Sequence, residues 1–181
     1  MTAMLHLVAG STGAGKTTYA LRLAAREGAL RLSIDEWMTT LFEPDQPTPL
    51  QFDWMMERVN RCEAQMWAVA LQAVALGAPI VVDCGLTREA HRAKWATLAA
   101  EAGLPVRLHH LDVDAEERWR RVQGRNRERG PTFRLEVTRE MFDFVETLWE
   151  RPDDAELARL NGLRVGATGT LMRHRDGVVV T

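Results

Sequence analysis

The stretch that decides the fold reads Gly10-Ser11-Thr12-Gly13-Ala14-Gly15-Lys16-Thr17. It fits the pattern G-x-x-x-x-G-K-[ST] at every fixed position, and it joins an apolar run, Met4–Ala9, to a helical pattern that begins near Gly15. In this pattern glycines let backbone N–H groups converge on phosphate oxygens, and the following helix adds the positive end of its dipole. The sequence therefore predicts a phosphate-binding loop between a buried strand and a helix.

The last residues of this loop predict a nucleoside triphosphate and Mg²⁺ as ligands. Lys16 is expected to reach the terminal phosphates, and the Thr17 hydroxyl is expected to ligate the metal, because the pattern places both beside the phosphates. The residues expected to bind the nucleotide are Gly10, Ser11, Thr12, Gly13, Ala14, Gly15, Lys16, Thr17 and Thr18.

Strand patterns alternate with helical patterns along the rest of the chain. The predicted strands are Met4–Ala9, Leu30–Ile34, Ile80–Asp83, Val106–Val113 and Leu163–Val165. The predicted helices are residues 15–27, 49–76, 87–102, 114–129, 138–150 and 155–160. Such alternation predicts one α/β domain, residues 1–181, in which helices cover both faces of a parallel five-stranded sheet. A small hairpin is also predicted over Met172–Val180.

Composition is typical of a soluble single-domain protein. The 181 residues are 46% hydrophobic and 27% charged. The formal net charge of −2 argues against a protein whose whole surface binds nucleic acid. No apolar run approaches the roughly 18–20 residues of a membrane span. The N-terminus lacks the basic start and the cleavage site of an export signal. Cys62 and Cys84 are expected to be buried and reduced, so a cytoplasmic location is expected.

Two aspartates follow predicted strands of the same sheet. The predicted strand Leu30–Ile34 runs into Asp35 and ends there, and Asp83 ends the strand that begins at Ile80. Because the carboxyl ends of parallel strands meet at one edge, both are expected near the phosphate-binding loop. Asp35 fits a base that accepts the proton of an attacking hydroxyl, or else a cap or a water-mediated metal ligand. Asp83 fits a metal ligand, or else a turn residue before the next helix.

Residues 118–129 are rich in arginine. On a helix Arg118, Arg121 and Arg125 share one face, because they are spaced three and four residues apart. Such a face fits a lid that closes over a triphosphate and stabilises charge on the transferred group. This lid is placed at about residues 114–137, and a solvated basic helix face is the alternative. Asp114 and Glu117 predict a capping box at the start of this helix.

Residues 36–60 lie where an acceptor would have to sit for its hydroxyl to reach Asp35. Residues 36–47 predict irregular structure, and Thr48-Pro49-Leu50-Gln51 predicts a capping box at the start of a long helix. Trp37 and Phe42 are expected to line the acceptor site, since aromatic walls suit a flat or partly apolar ligand. Packing of the long helix onto the sheet is the alternative role for the aromatic residues of this region.

Five of these segments together resemble the P-loop kinase group. They are GSTGAGKTTYA at 10–20, SIDEW at 33–37, VVDCGLTREAHRAKW at 81–95, RWRRVQGRNRERG at 118–130 and TREMFDFVETLWERP at 138–152. The resemblance is to small bacterial members labelled AAA-family ATPases, in a group that includes phage polynucleotide kinase, chloramphenicol phosphotransferase and the zeta toxins. It implies a three-layer fold with an arginine-rich lid, ATP and Mg²⁺ as cofactors, and phosphate transfer to a hydroxyl.

The resemblance also implies roles for individual residues. Asp35 corresponds to the usual base of the family, and Asp83 corresponds to its strand-end metal aspartate. Arg121 and Arg125 correspond to a pair of lid arginines. Polynucleotide kinase has basic residues at the start of the helix after that strand, which correspond to Arg88 and Arg92 here, and this implies a substrate contact for Arg88.

The expected activity is ATP-dependent phosphate transfer to a hydroxyl of a small molecule, such as a metabolite, a sugar nucleotide or an antibiotic. A polynucleotide 5′-hydroxyl kinase is one alternative, although residues 36–60 contain only Arg58 against five acidic residues, which disfavours a nucleic-acid partner. A regulatory NTPase switch is the second alternative, and it would need an ordered-to-disordered element and a partner surface.

Overall fold

The computed structural model describes residues 3–130 and 136–170. Its strands are β1 (Leu5–Ala9), β2 (Leu30–Ser33), β3 (Ile80–Asp83), β4 (Val106–Leu111) and β5 (Leu163–Val165). Its helices are α1 (Lys16–Glu27), α2 (Ile34–Phe42), α3 (Phe52–Ala75), α4 (Glu89–Glu101), α5 (Ala115–Glu128), α6 (Arg139–Leu148) and α7 (Asp154–Arg159), with a 3₁₀ turn at Glu43–Asp45. The hairpin predicted at Met172–Val180 lies outside the described residues.

The five strands form one parallel sheet in the order β2-β3-β1-β4-β5. β1 lies in the middle, where Leu5 is aligned with Ile80 of β3 and with Val106 of β4. A strand with neighbours on both sides and helices over both faces has side chains buried on both faces, which explains why all of β1 is buried. The predicted α/β fold with a parallel five-stranded sheet is confirmed.

Hydrophobic side chains fill both sides of the sheet. On one face Leu7 packs in a cluster with Met66 of α3 and Trp95 of α4. On the other face Val8 packs in a cluster with Leu23 of α1. Burying a side chain of this size contributes about 1.5–3 kcal/mol, so the two clusters hold the sheet between its helical layers. The carboxyl ends of the strands, where the predicted site lies, are thereby fixed.

The structure corrects the prediction that Asp35 ends a strand. β2 stops at Ser33, whose side chain accepts a hydrogen bond from the backbone N–H of Glu36 and caps α2. Asp35 therefore lies in the first turn of a helix, where a carboxylate interacts favourably with the helix dipole. The prediction of irregular structure over residues 36–47 is wrong, because most of this stretch belongs to α2 and the 3₁₀ turn.

Two predicted capping boxes are absent from the described helices. α3 begins at Phe52 and not at Pro49, and its N-cap makes no side-chain hydrogen bond. Asp114 is the N-cap of α5 as its pattern with Glu117 predicts, yet it too makes no side-chain cap bond. Glu117 instead accepts hydrogen bonds from arginines of its own helix, with which it forms ion pairs.

The two cysteines are free and buried, as expected. Burial raises the pKa of the Cys62 thiol and raises the pKa of the Cys84 thiol well above its usual value. Both are therefore unreactive protonated side chains at neutral pH. None of the described helices has both the length and the apolar character needed to cross a membrane.

A buried histidine pair links β1, β4 and α1. His6 Nδ1 lies 3.0 Å from His109 Nε2, and Tyr19 OH lies 2.8 Å from His109 Nδ1. Burial lowers the pKa of His109 to about 3 and also lowers the pKa of His6. The His109 ring therefore stays neutral in the folded chain at neutral and mildly acidic pH.

Mild acid is expected to destabilise the fold through His109. Its ordinary pKa is 6.5, so below that pH the unfolded imidazole binds a proton that the folded one does not, and the free energy of unfolding falls. From about pH 7 to about pH 5 the loss from this residue is about 2 kcal/mol. Urea unfolding at both pH values measures it, with His109→Gln, which keeps hydrogen-bonding groups, as the comparison. The variant should lose less stability, and an equal loss in both proteins would contradict the prediction.

Candidate nucleotide-binding site

The phosphate-binding loop, residues 10–17, joins β1 to α1 as predicted. Gly13 and Gly15 have φ angles of +80° and +92°, a left-handed backbone conformation that residues with a Cβ rarely adopt. Gly13 is also tightly packed, because a Cβ built there would lie 2.5 Å from the backbone oxygen of Arg118. The backbone conformation needs glycine at both positions, and the packing against α5 needs it at Gly13.

Cationic side chains hold four carbonyl groups of this loop. The pairs are Lys16 Nζ with the oxygens of Gly10 (2.8 Å) and Ser11 (3.2 Å), Arg118 with that of Thr12 (3.2 Å), and Arg121 with that of Ala14 (3.4 Å). Carbonyl oxygens would repel a phosphate, whereas backbone N–H groups attract it. These contacts therefore hold the loop carbonyl oxygens, which would repel a phosphate, against the protein's own cations.

A cavity of about 470 Å³ opens beside the loop. The loop contributes Thr12, Gly13, Ala14, Gly15, Lys16 and Thr17 to its lining, and Thr18 follows them. Asp35, Asp83, Arg121 and Arg125 line the same cavity. Gly10 and Ser11 do not line it, although they were grouped with the nucleotide-binding residues. The volume lies within the range of small-molecule sites.

Asp83, at the end of β3, is a buried carboxylate with incomplete hydrogen bonding. The residue is 5% exposed, and its Oδ2 has no hydrogen-bond partner within the described part of the chain. Burial raises the pKa of this carboxyl, while the charges of Arg31 and Lys16 oppose the shift. Burial likewise lowers the pKa of Lys16, against the charges of Asp83 and Asp35. A buried oxygen without a partner suits a metal ligand, because metal binding would satisfy it.

Asp35 reaches the same cavity from the first turn of α2, but it is exposed where Asp83 is buried. Its negative charge raises the pKa of Lys16 and that of Arg125, in both cases against the larger lowering caused by burial. Asp35 therefore interacts with the cations of the cavity while remaining accessible to a hydroxyl from solvent.

The arginine-rich face of α5 divides into residues with different surroundings. Arg118 is buried and donates hydrogen bonds to the backbone oxygens of Val113 and Thr12 and to the Glu146 carboxylate. It does not line the cavity. The expectation that it lies over the triphosphate is therefore corrected: its donors are already bonded to the protein. No pattern in the sequence pairs it with Glu146 of α6.

Arg121 and Arg125 both line the cavity, but within the described residues Arg121 donates several hydrogen bonds while the Nε of Arg125 has no partner. Arg121 donates to Glu117, to Ala14 O and, at 2.7 Å, to Ala167 O. The Nε of Arg125 is buried without a hydrogen-bond partner in residues 3–130 and 136–170, and burial lowers the pKa of this guanidinium. Of the two arginines, Arg125 is therefore the one whose Nε has no hydrogen-bond acceptor among the described residues.

The three residues predicted to contact the acceptor lie away from this cavity. Trp37 and Phe42 are half-buried and pack against the core cluster that contains Met66. Arg88 is exposed at the N-cap position of α4. None of the three lines the cavity, and contact with an acceptor stays a prediction for each.

Sequence reasoning missed other residues of the cavity wall. Tyr19 and Arg22 of α1 line it, together with the turn Gly166–Gly169 that follows β5. In that turn the Gly169 N–H donates to Gly166 O at 2.9 Å. The signal that could have found it is a glycine pair directly after a predicted parallel strand, since loops at that end of a sheet line ligand sites.

The residues of this site fit Mg²⁺ and a triphosphate. Thr17 and Asp83 supply a hydroxyl and a carboxylate oxygen beside Lys16 and the loop. The described residues contain no group of three or more His, Cys, Asp or Glu side chains that could hold a metal. Mg²⁺ matches such a sparse set, because it takes one or two protein ligands and completes its shell with phosphate oxygens and water.

Comparison with known proteins assigns the family. The sequence profile of AAA_33, described as an AAA domain, matches residues 5–148. The chain belongs to the AAA_33 family. The matched range of this AAA_33 domain begins at β1 and ends with α6, so it contains the phosphate-binding loop, Asp35 and Asp83. No curated protein matches the sequence.

Solved structures share the fold of this AAA_33 domain. A Chloroflexus aurantiacus protein with a provisional kinase assignment has a TM-score of 0.67 at 16% identity, covering 92% of this chain and 86% of its own. The Mycobacterium tuberculosis APS kinase, solved with AMPPNP and APS, has a TM-score of 0.59 at 18% identity over 91% and 88% of the two chains. A Sinorhizobium meliloti gluconokinase gives 0.55 at 16% identity over 92% and 83%. At these identities the likeness establishes the P-loop kinase fold.

Proposed function

We propose that this AAA_33 domain is an ATP-dependent phosphotransferase that moves the γ-phosphate of ATP to a hydroxyl of a small molecule. The observation that carries the proposal is one cavity lined by the phosphate-binding loop together with Asp35, Asp83, Arg121 and Arg125. The loop and a metal aspartate would serve any NTPase. An additional exposed carboxylate is what transfer to a hydroxyl requires, because the acceptor must lose its proton.

Each group of the cavity has a distinct task in this proposal. Lys16 and the N–H groups of the loop bind the phosphates, while Thr17 and Asp83 hold Mg²⁺. The metal, when bound, neutralises phosphate charge. Asp35 accepts the proton of the acceptor hydroxyl, and Arg125 stabilises charge on the transferred group. Positioning and charge stabilisation supply nearly all of the catalysis in such transfers.

The proposed acceptor is a small molecule, such as a metabolite, a sugar nucleotide or an antibiotic, and not a nucleic-acid strand. Within residues 36–60 the only basic side chain is Arg58. Its guanidinium lies 3.9 Å from the Trp54 ring centre and donates to Trp54 O, so it is held against its own helix. A strand of phosphates would meet mainly carboxylates in this region, and that arrangement repels it.

The remaining parts of the proposal concern the surroundings of the cavity. We propose that residues 114–137 form a lid and that residues 36–60 form the acceptor-binding insertion of a single domain, residues 1–181. Trp37, Phe42 and Arg88 are proposed acceptor contacts. A substitution at any of these three residues is expected to raise KM for the acceptor.

Phosphate transfer from labelled ATP with Mg²⁺ into a panel of acceptors tests the function. The panel holds sugars, nucleosides, sugar nucleotides, hydroxylated antibiotics and oligonucleotides, each assayed with wild type and with Lys16→Met. Label is expected in one small-molecule class with wild type only. Label in oligonucleotides, with binding that weakens steeply as salt rises, would establish the polynucleotide kinase instead. ATP hydrolysis without any labelled acceptor would favour the regulatory switch.

A further inference from the structure

One carboxylate of α6 reaches the phosphate-binding loop from outside the cavity. Glu146 accepts a hydrogen bond from Ser11 Oγ, and its two oxygens accept from Arg118 at 2.7 and 2.6 Å. Arg118 in turn donates to Thr12 O at 3.2 Å and to Val113 O at 2.8 Å. Glu146 is therefore bonded to the loop twice, directly at Ser11 and through Arg118 at Thr12.

The members of this contact are withdrawn from solvent. Ser11 and Arg118 are 4% and 5% exposed, and the Glu146 side chain is 28% exposed. Hydrogen bonds from Arg118 and Ser11 lower the pKa of the Glu146 carboxyl against its partial burial. A guanidinium buried this deeply needs an anion beside it, and Glu146 supplies that anion.

The phosphate-binding loop is packed closely against the backbone of Arg118, so a movement of Arg118 would shift the loop. Gly13 packs so closely on Arg118 that an added Cβ would overlap the Arg118 backbone oxygen. The same arginine holds the Thr12 carbonyl with its side chain. The position of Arg118 therefore fixes the positions of Thr12 and Gly13 in the loop. The Glu146 carboxylate in turn holds the Arg118 guanidinium in place.

We propose that Glu146 is a positioning residue for nucleotide binding, acting on the phosphate-binding loop through Ser11 and Arg118. A Thr12 carbonyl held by Arg118 is not free to rotate toward a phosphate oxygen, which it would repel. Loss of the Glu146 carboxylate releases this restraint, and the loop then has to be ordered again when the nucleotide binds. This inference rests on the proposed function only in taking ATP as the ligand, and it does not require that phosphate is transferred to an acceptor.

The affinity for a fluorescent ATP analogue with Mg²⁺ tests the role of Glu146. Glu146→Gln keeps the size of the side chain but removes its charge and one acceptor, so Kd is expected to rise about tenfold, as for one charge-assisted contact. Ser11→Ala leaves the Arg118–Glu146 pair intact and is expected to raise Kd about threefold. The double variant should raise Kd by less than the product of the two effects, because both remove the same contact. Ser11→Ala carries the test if Glu146→Gln does not fold.

The buried ion pair between Arg92 and Glu156 offers a matched control. It is also bidentate, at 2.6 and 2.8 Å, but it joins α4 to α7 and makes no hydrogen bond to the phosphate-binding loop. Glu156→Gln is expected to lower Tm at least as much as Glu146→Gln while leaving Kd unchanged. Equal rises in Kd for the two variants, or an unchanged Kd for Glu146→Gln, would overturn the proposal. Wild type that binds the analogue but labels no acceptor would instead refute the proposed transfer alone.

Discussion

Replacing Arg125 by alanine is expected to lower the rate of phosphate transfer by roughly 10³-fold, the effect of removing an arginine that stabilises the transferred group. Its Nε is buried in the cavity wall without a hydrogen-bond partner among the residues described, so the substitution breaks no internal hydrogen bond at this atom. A buried N–H donor without an acceptor is unfavourable until an acceptor arrives. Negative charge on the transferring phosphoryl group is the proposed anion.

Arg121 is the matched control for Arg125, because it lies one turn earlier on α5 and lines the same cavity. Its guanidinium bonds Ala14 O and Ala167 O, which belong to two different walls. Arg121→Ala is therefore expected to raise Kd for ATP about tenfold, with a smaller effect on the rate at saturating ATP. Single-turnover rates and Kd values for both variants separate the two roles. Equal losses of rate and affinity in both would contradict this division.

Local patterns in the sequence were sufficient to predict the sheet and the phosphate-binding loop. β1 and β3 are short, mainly apolar runs. The loop has fixed spacing between a strand and a helix, so neither pattern depends on distant residues. β5 was predicted with its observed bounds, Leu163–Val165. The error at Asp35 arose because apolar residues alternate along Leu30–Ile34, as in a strand, whereas Ser33 caps a helix that begins at Ile34.

The tasks of the arginines could not be predicted from their spacing. Periodicity places Arg118, Arg121 and Arg125 on one face of a helix, but their partners come from elsewhere in the chain. Glu146 is 28 residues beyond Arg118, and Ala167 is 46 residues beyond Arg121. The packing of α6 brings Glu146 to Arg118, and the turn after β5 brings Ala167 to Arg121.

Asp35→Asn is expected to lower the rate of transfer by about 10² to 10⁴-fold, the range for removing a general base. The variant keeps the shape of the side chain but cannot take the proton of the acceptor hydroxyl. Asp35 is exposed, so its replacement should change the free energy of unfolding little. Affinity for ATP is expected to be unchanged or higher, because a negative charge that faces the phosphate site is lost.

Glu36→Gln is the control for Asp35→Asn, since it removes a neighbouring carboxylate in the same turn of α2. Glu36 pairs with Arg31 and does not line the cavity, so its loss should leave the transfer rate within about twofold of wild type. Rates at saturating ATP and acceptor, together with Kd for ATP, are measured for both variants. A large loss of rate in Asp35→Asn with ATP affinity retained identifies a proton acceptor. Equal rates in the two variants would show that another group, or water, takes the proton.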